Sequence, residues 1–359
     1  MISFLDLKKI NQRYEVAFQE KLNKVMDKGW YVLGNEVETF ERSFAEYCGS
    51  KYCVGVANGL DAITLSFLGY IETGVLQKGD EIIVPANTYI ASILGIIHAG
   101  LVPVLVEPTI NTYTIDPDRI EEKISKKTKG ILIVHLYGQL ADMDAIMELC
   151  YKHDLLIVED AAQGHGLSFK GSHTRTFSFY PGKNLGALGD GGAIVTNDEK
   201  LVKSLSRLRN YGSDVKYYNE SIGFNSRLDE LQAAFLNVKL PDLNADNEKR
   251  RSIAKRYSTE IKNDKIVLPE WDFSQNHVFH LFVIRCKNRQ ELQEYLTQKE
   301  IQTLIHYPVP PHKQKALPKW NDWSFPITEK IHDEVLSLPM SPVLTDEEVD
   351  FVIEILNRY

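Results

Sequence analysis

Three stretches of the chain combine side-chain types and surroundings that could do chemistry, and each sits where an apolar run ends. Asp160 directly follows LLIVE. A carboxylate ending an otherwise buried strand needs a cationic or hydrogen-bonding partner to stay charged, although such a residue taken alone also reads as a helix N-cap. Lys183 lies in FSFYPGKNLGALGDGGAIVT, between an aromatic strand and a glycine-rich turn that leads into another apolar strand. A lysine hemmed in this way loses solvation, its pKa falls and its amine becomes nucleophilic toward carbonyls; taken alone it also reads as a solvated loop lysine. In VANGLDAITLSF a strand ends at Asn58-Gly59, and a helix begins with Leu60 and Asp61. Free amides at a helix start bind an anion without a basic side chain, whereas Asn-Gly alone marks only a turn. The cluster Gly186, Gly189, Gly191 and Gly192 matches neither GxGxxG nor GxxxxGK[ST] in a strand-to-helix setting.

Taken together, the three features specify a cofactor. Pyridoxal 5′-phosphate needs an anion pocket for its phosphate, a carboxylate for its ring nitrogen and a lysine amine for its aldehyde. No group of residues suggests a metal site.

These residues must be positioned by the elements around them. Seven short apolar runs alternate with amphipathic stretches: YCVGVA, EIIVPA, VPVLVE, GILIVHL, LLIVED, TFSFY from Thr176, and GAIVT. Near-continuous apolar strands indicate a mainly parallel sheet covered on both faces by helices. Helices are expected over Leu60–Tyr70, Ala91–Ala99, Asp142–His153 and Asp198–Arg209. After Lys239 a charged helical stretch, the run HVFHLFVIRC, a helix near Asn288–Lys299 and a proline-rich segment read as a smaller α+β domain. The expected division is residues 1–240 for a large α/β domain and 241–359 for a small one, and open α/β sheets place ligands beyond the carboxyl ends of their strands.

Composition narrows the partners. The 359 residues carry 41 Lys+Arg against 49 Asp+Glu, a net charge of −8, with 43% hydrophobic and 25% charged residues. A soluble globular chain follows, with no broad basic face for a nucleic acid or an anionic membrane. Cys48, Cys53, Cys150 and Cys286 are too sparse for a disulfide framework, and the N-terminus shows no export signal, so a cytoplasmic setting is expected.

At the residues singled out above, the chain resembles the DegT/DnrJ/EryC1/StrS family of sugar aminotransferases. The motifs are GWYVLGNEVETFERSFAEYCG, NGLDA, PANTYIAS, VEDAAQGHG, SFYPGKNLGALGDGGA, GFNSRLDELQAA and HYPVPPH, and the likeness runs over nearly the whole chain. The resemblance implies the aspartate aminotransferase-like fold type I of pyridoxal-phosphate enzymes. It implies that Lys183 bonds the cofactor, Asp160 partners the pyridine nitrogen, Gln163 lies near the phenolate oxygen and Tyr89 stacks on the ring. Gly59, Leu60 and Ser178 would cradle the phosphate. Asn225, in GFNSR, would reach the phosphate of a neighbouring subunit, which implies a homodimer with shared sites. Between GLSFKG and FSFYPGKN the family usually has a longer, glycine-containing loop, whereas here only SHTRT intervenes.

The wording SFYPGKN, with Tyr180 where many C4-directed members carry histidine, is most similar to the subgroup that aminates C3 of dTDP-3-keto-6-deoxyhexoses. L-glutamate would be the donor in a ping-pong reaction. The product would be a dTDP-3-amino-3,6-dideoxyhexose of galacto or gluco configuration, used for O-antigens, other surface glycans or antibiotics. Tyr180, His306 and Tyr307 are the expected contacts to the sugar or its diphosphate, and Arg227 a carboxylate or phosphate contact. Alternatives are a C4 aminotransferase for a dTDP- or UDP-4-keto sugar, and a non-enzymatic regulator on the same fold. A histidine at 183 would indicate a dehydratase. A nicotinamide enzyme would need a glycine fingerprint that VANGLDA lacks.

Overall fold

The seven apolar runs form one sheet in the computed structural model, which describes residues 1–359. They are β1 (Tyr52–Val56), β2 (Glu81–Pro85), β3 (Val102–Val106), β4 (Thr128–Val134), β5 (Leu156–Asp160), β6 (Thr174–Ser178) and β7 (Gly192–Thr196), in the order β1-β7-β6-β5-β4-β2-β3. β7 runs antiparallel to both neighbours, and the remaining pairs are parallel. Eight helices precede, connect or follow these strands: α1 (Leu7–Gln12), α2 (Glu15–Lys28), α3 (Asn35–Tyr47), α4 (Gly59–Glu72), α5 (Ile90–His98), α6 (Met143–Lys152), α7 (Glu199–Leu208) and α8 (Glu230–Lys239). Asn58, Asp142 and Asp198 start α4, α6 and α7 by accepting amide hydrogens of the first turn, which fixes where each strand-to-helix turn ends.

Both faces of the sheet are covered, which is why its strands read as apolar throughout. Ile63 and Phe67 of α4 and Leu201 of α7 join Val54, Leu132 and Val158 in one core layer. On the opposite face Phe40 and Phe44 of α3 meet Phe177 and Phe179 edge-on, with ring centroids 4.9 Å apart for Phe44–Phe177 and 5.1 Å for Phe40–Phe179. Such T-shaped pairs are favoured by the ring quadrupoles.

The strand expected from Thr176 begins earlier, at Thr174. Arg175 is the reason. Its Nε donates to Glu159 Oε1 at 3.0 Å, and Nη2 donates to the carbonyls of Lys170 at 3.2 Å and Gly171 at 2.7 Å. Glu159 Oε2 lies 2.9 Å from His135 Nε2, and the other ring nitrogen of His135 accepts the Ala141 amide, so Nε2 carries the donated hydrogen. All three side chains are buried. The arrangement ties the short SHTRT loop to the strand that ends in Asp160. Arg175→Met should lower unfolding free energy by about 3–5 kcal/mol, because it leaves a buried carboxylate short of its cation. A urea melt reads this; a loss under about 1 kcal/mol would contradict it.

A short exposed hairpin follows α7, formed by β8 (Ser213–Val215) and β9 (Tyr218–Asn219). Beyond α8 come α9 (Leu243–Glu260), β10 (Phe282–Arg285), α10 (Arg289–Gln298), α11 (Pro326–Glu334), β11 (Val335–Leu338) and α12 (Asp346–Arg358), with β10 and β11 antiparallel. Tyr257, Phe282, Leu336 and Val352 centre a second core, and Ile2 from the N-terminus joins it. Of the run HVFHLFVIRC only Phe282–Arg285 is strand. The residues before it bond instead to the turn that follows β4, with Val278 N donating to Gly138 O at 2.9 Å and Leu281 N to Tyr137 O at 3.2 Å.

Candidate active site

The ends of β1, β5 and β6 open on a cavity of about 1040 Å³. Ten of the twelve residues singled out from the sequence line it, and Asn225 and Arg227 do not. No arginine lines it, and Lys183 is its one lysine.

Asp160, buried at the end of β5, has both carboxylate oxygens engaged. Oδ1 accepts the Ala162 amide at 3.1 Å and Oδ2 accepts the Ser92 hydroxyl at 2.7 Å. Ser92 spends its hydrogen on Asp160, so the 2.7 Å contact between Thr88 and Ser92 has Thr88 as donor. A relay from the first turn of α5 thereby holds the carboxylate in place.

Lys183 sits in the turn after β6, its amide donating to Tyr180 O at 2.8 Å. Side chains from elsewhere fix its neighbours. Asn184 Nδ2 donates to Asn247 Oδ1 at 2.9 Å and to Val278 O at 3.1 Å, and Asn184 Oδ1 lies 3.2 Å from His280 Nδ1. The buried ammonium of Lys239 donates to Gly186 O at 2.6 Å. Burial in the cavity lowers the Lys183 amine to about 8, with the Asp160 charge opposing that shift. Burial, helped by Lys183, lowers His306 to about 4 and His165 to about 3, so both imidazoles are neutral at pH 7. The neutral fraction of the Lys183 amine rises tenfold per pH unit below about 8 and levels off above it. Capture of pyridoxal 5′-phosphate by the cofactor-free protein should follow the same curve by stopped-flow absorbance. A rate flat from pH 6 to 8 would contradict this.

At the other end of the cavity the amides of Gly59 and Leu60 precede the first helical bond of α4, from Ala62 N to Asn58 O. Any Cβ on Gly59 would stand 2.7 Å from Ser178 Cβ, so only glycine lets the helix start close on this serine. Between the two ends, Gln163 Oε1 accepts the Tyr137 amide at 2.5 Å, and Nε2 donates to the Tyr307 hydroxyl at 3.1 Å. Tyr89 stands 5.0 Å from the Tyr307 ring and is half exposed. Two amides and a hydroxyl for an anion, a desolvated amine and a strand-end carboxylate are the donor set that pyridoxal 5′-phosphate requires.

The family model of DegT/DnrJ/EryC1/StrS aminotransferases matches residues 12–357. The chain belongs to that family. Among DegT/DnrJ/EryC1/StrS aminotransferases it is similar to the dTDP-3-amino-3,6-dideoxy-alpha-D-galactopyranose transaminase of Aneurinibacillus thermoaerophilus, 57% identical over 365 residues covering 100% of this chain and 99% of that protein. It is 43% identical over 367 residues to the dTDP-3-amino-3,4,6-trideoxy-alpha-D-glucose transaminase of Streptomyces venezuelae, covering 100% of this chain and 96% of that one. The crystal structure of S. venezuelae DesV in complex with a ketimine intermediate superposes with a TM-score of 0.95 at 43% identity, over 99% of this chain and 98% of that one.

In this aminotransferase, the two residues outside the cavity share one exposed segment. Asn225 pairs with Asn210 as an isolated bridge, and Arg227 donates to Asn210 Oδ1 at 2.8 Å while stacking on Tyr211. Ser226 between them is turned inward, donating to Asp61 Oδ2 of α4 at 2.7 Å and accepting the Ala57 amide at 3.2 Å. Sequence reasoning passed over Thr88, Ser92, His280 and the N-terminal Phe4 and Leu5, all of which line the cavity. Only Thr88 and Ser92 carried a signal, their i,i+4 spacing within PANTYIAS.

Proposed function

We propose that the chain transfers the amino group of L-glutamate to C3 of a dTDP-3-keto-6-deoxyhexose, giving dTDP-3-amino-3,6-dideoxygalactose or its gluco epimer for a surface glycan or antibiotic sugar. The full-length 57% identity to a transaminase named for that product carries this reading. Bound pyridoxal 5′-phosphate supplies an aldehyde that holds amines and a ring that takes up the electron pair released at the donor's α-carbon.

The chain's own residues do the rest. The Lys183 amine, free of hydrogen-bond partners and desolvated, would hold the cofactor through its aldehyde and would serve as the general base for the donor's α-proton. Asp160, steadied by Ser92 and Ala162, holds the proton on the ring nitrogen. The Gly59 and Leu60 amides and the Ser178 hydroxyl bind the phosphate, Tyr89 covers the ring face, and Gln163 approaches the phenolate oxygen. Tyr180, His306 and Tyr307 contact the keto sugar.

A homodimer completes the site in this reading. A cavity without arginine must take the cofactor phosphate, a sugar diphosphate and the donor carboxylates, and net charge −8 offers no general attraction. Asn225 and Arg227, displayed beside the exposed Tyr217 and Ile222, reach the partner's site, Asn225 at the phosphate and Arg227 at a carboxylate or phosphate. The four free cysteines suit a cytoplasmic setting. Incubating purified protein with glutamate and a panel of dTDP- and UDP-linked 3-keto and 4-keto sugars, with the aminated carbon assigned by NMR, tests the substrate. Amination at C3 of the dTDP sugar is expected; amination only at C4 would overturn the regiochemistry.

A further inference from the structure

The first residues of the chain form a strap along one side of the cavity, distant in sequence from Asp160 and Lys183 but close to them in space. Ile2 locks it down, with Ile2 N donating to Glu300 O at 2.7 Å and Gln302 N to Ile2 O at 3.0 Å. Phe4 N then donates to Gln302 Oε1 at 3.2 Å, and Asp6 caps α1 by accepting the Lys9 amide at 2.8 Å. Beyond α1, both terminal nitrogens of Arg13 pair with the Asp246 carboxylate, at 2.7 and 2.6 Å. Anchored at both ends, the strap has little freedom, and its apolar side chains turn to the cavity. The Phe4 ring lies 5.7 Å from the His306 ring. Leu5 Cδ2 stands 3.5 Å from where a Cβ on Gly182 would be, beside Lys183 and close to the Tyr180 ring. Both line the cavity, as does Thr303, whose buried hydroxyl has no partner. That hydroxyl is itself shut off from the open space, so this side of the cavity offers an occupant an apolar surface.

We infer that Phe4 and Leu5 are specificity-determining residues: they form an apolar wall beside Lys183 that accepts the methyl group at C6 of a 6-deoxyhexose and disfavours a hydroxymethyl group there. The inference rests on the substrate class proposed above. The physical reason is desolvation. A hydroxyl pressed against Phe4 and Leu5 gives up water and finds no partner on either side chain, whereas a methyl group gains contact. An apolar pocket rejects an added hydroxyl only modestly, so the expected preference in kcat/KM is about 10–100-fold.

The test uses full-length, cofactor-loaded protein and follows the two half-reactions separately by stopped-flow absorbance. One measures amino transfer from glutamate. The other measures amino transfer to a dTDP-linked 3-keto-6-deoxyhexose and to its 6-hydroxy counterpart. Leu5→Ala should lower kcat/KM for the 6-deoxy sugar about tenfold while the glutamate half-reaction stays within about twofold. Phe4→Tyr, which keeps the ring and adds one hydroxyl, should cut the preference for the 6-deoxy sugar about fivefold or more. Parallel loss in both half-reactions, or a preference that neither variant shifts, would overturn the wall while leaving the proposed reaction standing. Failure of the unaltered protein to aminate either sugar, with glutamate still converted, would sink the substrate reading and this inference with it.

Discussion

Lys183→Ala should abolish turnover, lowering kcat for transfer from glutamate by about 10³-fold or more, the full contribution of a positioned base and nucleophile. The amine is the cavity's one lysine, no other side chain donates to it or accepts from it, and burial brings it to about 8. Neither neighbour can take over its work: burial lowers His306 to about 4 and His165 to about 3, which makes both weak bases, and His306 Nδ1 is already engaged with Ser337 Oγ at 2.8 Å. Lys183→Arg should be equally inactive, because a guanidinium stays protonated and cannot act as base or nucleophile. The pair of variants thus separates the need for a neutral amine from the need for positive charge. Added small primary amines should restore part of the Ala variant's rate and none of the Arg variant's, since only the Ala variant leaves room. The measurement is single-turnover conversion of glutamate on cofactor-loaded protein. A loss below about tenfold in the Ala variant would mean that another group is the base.

The parts of this molecule that were legible in the sequence are those decided by local physics. Seven strands could be read because strands covered on both faces must be apolar along their whole length, and several helix starts because an Asn or Asp side chain must satisfy the first amides. Asp160 and Lys183 stood out for a related reason: a charge at the end of an apolar run has a desolvation cost that something must offset. What was not legible depends on contacts between distant residues. Phe4 and Gln302 are 298 positions apart, β10 and β11 pair across half a hundred residues that include a proline-rich segment, and the Glu159–Arg175 pair moved the start of β6 through a side chain whose partner the run TFSFY does not reveal. The role of Ser92 was obscured for a subtler reason. A serine in the first turn of a helix has an ordinary local explanation, and only the position of β5 makes it a donor to Asp160.

The same contrast explains how the Lys183 turn is held. Glycine-rich turns are soft, yet this one must place an amine to within a fraction of an ångström to act on a bound substrate. Its rigidity is imported. Asn247 of α9 receives a hydrogen bond from Asn184 and donates its own to His165 O at 2.8 Å, while Lys239 at the end of α8 holds Gly186 O. Segments on both sides of the expected boundary near residue 240 therefore grip the turn. Relative movement of the two would be felt at the Lys183 amine before it was felt at Asp160, whose supports come from α5 and from the residues just after β5.

Asp160→Asn should leave the cofactor bound yet lower kcat by roughly 10²–10³-fold, the range for removing one preorganised electrostatic partner from a developing charge. The substitution keeps shape and keeps one acceptor for the hydroxyl of Ser92 or the amide of Ala162, but the new amide group points hydrogens where a donor already stands. More importantly, it cannot hold a proton on the ring nitrogen, so the electron pair released at the donor's α-carbon has no charged sink. Because both half-reactions use the same ring, both should slow by the same factor, with KM for the sugar little changed. That pattern separates Asp160 from Phe4 and Leu5, whose variants should affect the sugar half-reaction alone. Ser92→Ala removes a hydrogen bond to the carboxylate without removing the carboxylate, so a loss of about tenfold is expected, equal in the two half-reactions. Absorbance titration of the cofactor into each variant, followed by single-turnover rates, distinguishes these outcomes. If Asp160→Asn slowed only one half-reaction, the carboxylate would be a substrate contact, and the ring nitrogen would need another partner.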